Sequence, residues 1–256
     1  MKITVSRYLS FSLTAMLLFS GCVSNTQHEE DKQEKLAHIH YQLGIDALGK
    51  EGMLPKAFDE LIRSNEIMPN QPLVLDALAY AWLLRGDMKK SETFYQQALK
   101  HGGRAATQNN YANLLNKMQR FDEAETMAKK SLDDPRYPNQ DLAFINLGDA
   151  LLGQEKYNQA IQAYHQAQLF NPNSTLPESK LANAYFVQNR LHEAATLYKI
   201  LLRKQPGNRA TVSALVDVLI KQNKSSEARQ HLRQFSDRSN SSMDKAWAMD
   251  KIGQLE

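Results

Sequence analysis

Apolar residues recur along most of the chain at the spacing of amphipathic helices, in pairs of stripes separated by short polar breaks. The clearest pair lies in residues 141–174. Its first stripe is Phe144, Leu147, Gly148 and Leu151, and its second stripe is Tyr157, Ala160, Ile161, Tyr164 and Ala167. Because the i, i+3, i+4, i+7 spacing marks one face of a helix, this segment predicts a helical hairpin. We expect the small Gly148 and Ala160 to let the two backbones approach closely.

The hairpin pattern occurs six times. The copies span about 37–71, 72–105, 105–138, 141–174, 175–208 and 209–240. A small residue marks the same place in each copy, at intervals of 34, 33, 36, 34 and 34 residues: Ala57, Ser91, Ala124, Ala160, Ala194 and Ala228. A last amphipathic segment at 242–255 is expected to cover the end of the stack. A fixed period of this length is typical of stacked helical repeats, so the sequence predicts an all-α solenoid.

The repeat resembles the tetratricopeptide repeat. In residues 175–208, the positions that carry the resemblance are Leu181, Ala182, Tyr185, Ala194, Tyr198 and Pro206. The resemblance implies a right-handed superhelix of about six helix hairpins with a C-terminal capping helix, together occupying residues 36–256. It also implies that the first helix of each hairpin lines the concave side.

The amino-terminal segment has the pattern of a bacterial lipoprotein signal peptide. Lys2 and Arg7 precede an apolar stretch that is too short to span a bilayer, which needs about 20 residues. The sequence Phe19-Ser20-Gly21-Cys22 that follows resembles a lipobox, with Phe19 where Leu is usual. The resemblance implies cleavage after residue 21 and acylation of Cys22, the one cysteine of the chain. Val23 follows in place of an aspartate retention signal, which favours the outer membrane.

Residues 22–35 are polar, highly charged and without apolar periodicity. This composition predicts a flexible, lipidated tether between the membrane and the repeats. An ordinary secretory leader with an incidental cysteine is the alternative interpretation of the same segment. We expect the repeat domain to lie on the periplasmic side, held at the membrane surface and not embedded in it.

The composition argues against several classes of function. Lys and Arg number 31 against 28 Asp and Glu, which is far from the concentrated positive charge of a nucleic-acid-binding protein. The seven histidines are scattered, and none of the HExxH, GxSxG or GxxxxGK motifs is present. We therefore predict a protein that is not an enzyme and that uses no cofactor, no metal and no small-molecule substrate. Enzyme activity remains a remote alternative.

Two surfaces are candidates for binding a protein partner. The first comprises apolar and aromatic positions on the first helices of copies one and two: His38, Tyr41, Ile45, Leu48, Tyr80 and Leu83, with Asp76 among them. Exposed patches of this kind often mark binding sites, although the same side chains could instead pack against the tether or a neighbouring helix. The second surface is a row of amides, Asn109, Asn113, Asn146 and Asn183, with Lys180. Amides can pair with the backbone of an extended peptide, and a solvated polar groove is the alternative.

Asn113, Asn146 and Lys180 also correspond to three positions of the carboxylate-clamp repeats that bind peptide C-termini. The other two basic positions of that clamp are occupied by Asn109 and Leu176. The full clamp is therefore absent, and we do not expect capture of a free C-terminal carboxylate.

One stretch resembles the type IV pilus biogenesis lipoproteins called pilotins, of the PilF and PilW type. It comprises Asn109–Ala112, Arg120–Ala124, Asp133, Tyr137-Pro138 and Phe144–Gly148. The resemblance implies an adaptor that binds the pilus secretin and promotes its localisation and multimerisation in the outer membrane. Alternative functions in the same class are a Tad-type pilus lipoprotein and an envelope scaffold that recruits cell-wall enzymes.

Overall fold

The computed structural model describes the backbone of residues 9–255 and the side chains of residues 28–255. Within that range the chain forms thirteen α-helices and no strand, which confirms the predicted all-α fold. The helices are α1 (Leu9–Leu48), α2 (Leu54–Ile67), α3 (Pro72–Leu84), α4 (Met88–Lys100), α5 (Ala105–Lys117), α6 (Phe121–Leu132), α7 (Gln140–Gly153), α8 (Tyr157–Phe170), α9 (Leu176–Val187), α10 (Leu191–Lys204), α11 (Arg209–Lys221), α12 (Ser225–Arg238) and α13 (Ser242–Gly253).

The helices form two compact units, Met1–Gly103 and Arg104–Glu256. The first unit contains the hairpins α1–α2 and α3–α4. The second contains α5–α6, α7–α8, α9–α10 and α11–α12, followed by α13. Within each unit every hairpin packs against the next one along the chain, so each unit is a stack of helical hairpins.

The two helices of each hairpin meet at the repeated small residue. All six of these residues have no exposed surface: Ala57, Ser91, Ala124, Ala160, Ala194 and Ala228. Glycines on the facing helices are equally constrained. A methyl group on Gly148 would lie 2.4 Å from Cε1 of Tyr164, and one on Gly44 would lie 2.6 Å from Cγ of Leu61. Close packing between the helices therefore requires small side chains at these positions.

A residue with a left-handed backbone recurs at the same position in the turn of every hairpin. In every hairpin, one residue of the turn has a left-handed backbone five positions before the buried small residue. These residues are Gly52, Gly86, Gln119, Glu155, Asn189 and Asn223, with φ between 60° and 86°. This regularity is not evident from the sequence, because two of the six positions carry neither Gly nor Asn.

In hairpins two to six, the left-handed residue ends the first helix by a repeated hydrogen-bonding pattern, whereas Gly52 lies four residues after the end of α1. In the second hairpin, the Gly86 amide donates to the Leu83 carbonyl and the Asp87 amide donates to the Trp82 carbonyl, both at 3.0 Å. In the fourth hairpin the second of these bonds recurs, from the Lys156 amide to the Leu151 carbonyl at 2.9 Å. This is the Schellman arrangement, which satisfies carbonyl groups that the end of a helix leaves without partners.

The C-terminal helix covers the end of the second unit. Ala248 is fully buried and Ile252 nearly so, and both belong to the core that the helices α9–α12 share. The ring of Trp247 meets that of Phe235 edge-on, with centroids 5.7 Å apart. The segment predicted as a cap thus supplies the last hairpin with the apolar contacts that a following repeat would otherwise provide.

The helix α1 begins well before the first repeat. Residues 28–35, which the sequence analysis assigned to a flexible tether, are helical and exposed in the structure. The Gln33 side chain donates to Glu29 at 3.1 Å, and such contacts one turn apart support an exposed helix. The prediction of a flexible segment is therefore wrong for residues 28–35. The acylation site Cys22 and the leader lie outside the described side chains, so both stay predictions.

Two side-chain contacts join the repeat part of α1 to α2. The buried Ser64 hydroxyl donates to the Ala37 carbonyl at 2.8 Å. The His40 Nδ1 atom lies 2.7 Å from a carboxylate oxygen of Glu60, and this hydrogen bond holds the pKa of Glu60 below its usual value. The first hairpin is thus fixed by polar bonds as well as by apolar packing.

The left-handed turn residues predict an unusual effect of glycine. Glu155 is exposed and has φ of 61°, a conformation that costs an L-residue about 1 kcal/mol and costs glycine almost nothing. We expect Glu155→Gly to raise the free energy of unfolding by about 0.5 kcal/mol, since the greater freedom of unfolded glycine offsets part of the gain. Urea denaturation of the purified protein measures the change.

Two matched variants control this measurement. Gly86→Ala places a side chain at φ of 86° with no neighbouring atom within 4 Å, so backbone strain alone should destabilise the protein by about 1 kcal/mol. Gly207→Ala has equally open surroundings without a left-handed backbone, and should change stability by less than about 0.5 kcal/mol. A loss of stability in Glu155→Gly would contradict the assignment of strain to this turn.

Candidate functional site

The first candidate surface is formed by α1 and α3 in the first unit. We call it the α1–α3 face, and it comprises His38, Tyr41, Ile45, Leu48, Asp76, Tyr80 and Leu83. Tyr41 and Leu48 pack partly against the unit's core, and the Tyr41 ring lies 6.1 Å from that of His38. Ile45 and Tyr80 remain 39% and 44% exposed. The face therefore combines side chains anchored in the core with apolar groups that contact solvent.

The alternative interpretation, that these side chains are covered by the tether or a neighbouring helix, holds for part of the set. Tyr41, Leu48 and Leu83 are half-buried, whereas His38, Ile45 and Tyr80 are exposed. Residues 28–35 continue α1 and are themselves exposed. In the described part of the first unit, apolar surface therefore stays accessible on this face.

Sequence reasoning missed two members of the same surface. Leu73 and Leu84, at the two ends of α3, are 64% and 48% exposed. Leu73 occupies the repeat position that His38 holds in the first copy. Aligning the copies with one another would therefore have identified it from the sequence. Including them extends the apolar surface along the whole length of α3.

A single carboxylate lies within this face. Asp76 is half-buried on α3, one helical turn before Tyr80. Burial, together with the negative charge of Asp76, raises the pKa values of Tyr41 and Tyr95. The carboxylate is thus within electrostatic reach of two tyrosines that belong to different helices.

The predicted row of amides in the second unit is only partly available to a ligand. Asn109 and Asn146 are buried, with 4% and 6% of their surfaces exposed. The Asn146 amide donates to the Asn109 carbonyl at 3.1 Å and to its side-chain oxygen at 2.7 Å. The Asn116 amide in turn donates to the Asn146 carbonyl at 2.9 Å. These amides join α5 to α7, which corrects the expectation that Asn109 and Asn146 point into an open groove.

Asn113 and Asn183 are exposed, as a binding role requires. Lys180 is half-buried, and its ammonium group lies 2.7 Å from Asp149 Oδ2. The Tyr164 hydroxyl donates to the other oxygen of Asp149 at 2.7 Å, and burial together with that carboxylate raises the pKa of Tyr164. Lys180 is thus already paired with a carboxylate of the same chain.

The second unit also presents apolar side chains that sequence reasoning missed. Leu142, Leu176, Val187 and Ile220 lie near the ends of α7, α9 and α11 and are 39–47% exposed. The ammonium group of Lys221 lies 4.4 Å from the centroid of the Phe186 ring. Leu142 and Leu176 again share the repeat position of His38.

Two further tests concern metal binding and membrane insertion. Among the side chains that the structure describes, no three His, Cys, Asp or Glu residues are grouped so as to hold a metal ion. Over the same part of the chain, no helix is at once long and apolar enough to span a bilayer.

Comparison with known proteins supports the assignment of the repeat. Three tetratricopeptide-repeat family models match residues 104–134, 143–174 and 179–242. These matches identify the hairpins of the second unit as tetratricopeptide repeats. No curated protein matches the sequence.

Several solved structures resemble the chain. PilF of Pseudomonas aeruginosa aligns with a TM-score of 0.69 at 21% identity, over 86% of this chain and 99% of PilF. PilW, described as a widely conserved type IV pilus biogenesis factor, aligns with a TM-score of 0.76 at 18% identity, over 83% of this chain and 98% of PilW. YrrB, described as a tetratricopeptide-repeat protein with an unusual peptide-binding site, aligns at 0.51 and 19% over 74% of this chain. At these identities the similarity is one of fold.

The different surroundings of the asparagines predict different effects on stability. Asn146→Ala removes two hydrogen bonds and leaves buried Asn109 oxygen atoms without their donor. We expect the free energy of unfolding to fall by about 1–3 kcal/mol. Asn113→Ala, at an exposed position of α5, should change it by less than about 0.5 kcal/mol. Denaturant titration of both variants gives the comparison, and equal losses would show that the amide bridge contributes nothing.

Proposed function

We propose that this chain is a non-enzymatic adaptor lipoprotein that binds the secretin of a type IV pilus. In this proposal it is anchored by acylated Cys22 in the outer membrane and faces the periplasm. There it promotes localisation and multimerisation of the secretin.

The observation that carries the proposal is the extent of the fold similarity. The aligned region takes in 99% of PilF and 98% of PilW, the second of which is described as a pilus biogenesis factor. YrrB, another repeat protein, is also covered over 97% of its own length but aligns with 74% of this chain, whereas PilF and PilW align with 86% and 83% of it. The lipoprotein-like leader and the pilotin-like stretch around Tyr137-Pro138 support the same conclusion independently.

The α1–α3 face is the proposed contact surface for a secretin segment. Exposed apolar side chains on a rigid stack of helices favour protein binding, because covering them removes apolar area from water. Tyr41 is at the centre of the proposed contact, since its ring is anchored against the core while part of it reaches the surface. In the second unit, Asn113 and Asn183 would add contacts to the backbone of the partner.

The work of such an adaptor requires no chemistry. Each acyl methylene buried in the bilayer contributes about 0.8 kcal/mol, so two or more chains hold a protein stably at the membrane. A partner that binds the adaptor is thereby concentrated at the same membrane. The free energy for localisation comes from the anchor, and the repeats supply selectivity.

Removal of the proposed anchor tests the role of the membrane. Cys22→Ser should yield a protein with the same helical circular dichroism spectrum that no longer sediments with outer membranes. Because the adaptor then cannot hold its partner there, secretin multimers in outer-membrane fractions should fall at least about tenfold, measured by immunoblotting of unboiled samples. Normal multimer levels in cells that produce only Cys22→Ser would contradict the proposed mechanism.

Photocrosslinking in cells tests the identity of the partner. A photoreactive amino acid in place of Tyr41 should yield an adduct that mass spectrometry identifies as the secretin. The same amino acid in place of His101, an exposed residue at the end of α4 outside the α1–α3 face, serves as the control and should not yield it. Recovery of a murein hydrolase at Tyr41 would instead support an envelope scaffold.

A further inference from the structure

The α1–α3 face carries few charged side chains. Between Ala37 and Leu48, and between Pro72 and Leu84, the sequence contains no Lys or Arg. Asp76 is the one ionisable side chain of α3 apart from Tyr80. The cation that follows this helix, Arg85, has its guanidinium over the rings of Phe58 and Trp82, 5.6 and 5.3 Å from their centroids. The face is therefore apolar with a negative charge near its middle.

Three other carboxylates of the first unit are engaged with cations or hydrogen-bond donors. Asp46 lies 2.6 Å from the Lys50 ammonium, Glu60 bonds His40, and Asp87 caps the start of α4. Asp76 also interacts within the protein. Asp76 Oδ1 is buried, so an external donor would have to approach Oδ2. Each carboxylate oxygen has about two acceptor positions, so an internal contact leaves capacity for a further donor.

A ligand that covers this face must compensate the negative charge of Asp76. Burying a carboxylate beneath an entirely apolar segment removes its water, which is unfavourable unless a cation or hydrogen-bond donors replace the water. A Lys or Arg side chain would replace it directly. The neighbouring tyrosine rings, Tyr41 and Tyr80, would further favour a cation through their electron-rich faces.

We propose that the α1–α3 face binds a partner segment in which one Lys or Arg is flanked by apolar residues. The basic side chain pairs with Asp76, and the flanking residues cover Ile45, Leu73 and Leu84. This rests on the adaptor function proposed above and specifies the chemistry of the bound segment. Asp76 then contributes to specificity as well as to affinity, because segments without a basic residue bind more weakly.

A peptide selection tests this proposal. The full-length chain in lipid nanodiscs is used to select from a random displayed library of peptides about twelve residues long, with empty nanodiscs as the blank. We expect the enriched peptides to carry a Lys or Arg between apolar residues. Replacing that residue by Gln in synthetic peptides should weaken binding by about tenfold or more, measured by fluorescence anisotropy.

Variants of the protein assign the effect to Asp76. On Asp76→Asn the Gln replacement should weaken binding by less than about threefold. Asp46→Asn removes the same charge from an exposed position of α1 and should keep the full effect. If circular dichroism shows that Asp76→Asn is unfolded, the loss of peptide affinity caused by the Gln replacement is measured instead on the unaltered protein at several salt concentrations. This loss should become smaller between about 50 and 500 mM salt, because salt screens the ion pair.

Several results would overturn the proposal: enrichment of peptides without basic residues, no enrichment over the blank, or an equal Gln penalty on Asp76→Asn. In the salt series, a loss of affinity from the Gln replacement that does not change with salt concentration would also overturn it. These outcomes are separable from failure of the proposed function. A secretin adduct at Tyr41 without charge preference refutes only the inference about Asp76. A clear charge preference without any secretin adduct refutes only the identity of the partner.

Discussion

Close approach of the two helices in every hairpin is the constraint on which the rest of the structure depends. Ala57, Ser91 and their four counterparts are completely buried at the crossing, and glycines such as Gly148 face large side chains with no room for a methyl group. The tight crossing fixes the angle between the helices and so determines which residues reach the surface. Surfaces available for binding follow from this geometry, since each first helix presents equivalent positions in successive copies.

The two units use equivalent positions differently. In the first unit, α1 and α3 present apolar and aromatic side chains around Asp76. In the second unit, Asn109 and Asn146 bond to each other, and Lys180 pairs with Asp149. These four polar groups of the second unit are thus satisfied by one another, which makes them structural. Apolar groups of the first unit are exposed around a carboxylate on one face, and for this reason we place the proposed principal contact there.

The helices, their pairing and the terminal cap could be predicted from the sequence, because they depend on the periodicity of apolar residues and on small residues at one position. Ala160 and Trp247 are examples whose predicted roles agree with their burial and contacts. Other features depend on information that periodicity lacks. The burial of Asn146 depends on the neighbouring copy, since its bonding partner is 37 residues away. The left-handed turn at Glu155 is imposed by the helices on either side, against the preference of the residue itself.

The continuity of α1 has a mechanical consequence. One helix runs from the amino-terminal region into the first hairpin, so a pull on its amino-terminal end, as the proposed anchor would exert, is transmitted along its backbone to the contacts with α2. The Ser64 bond to Ala37 and the His40–Glu60 pair would carry that load first. Because each hairpin is about 34 residues long, release of one would lengthen the chain by about 100 Å. A linkage of this kind yields in steps and can absorb tension before the remaining hairpins are disturbed.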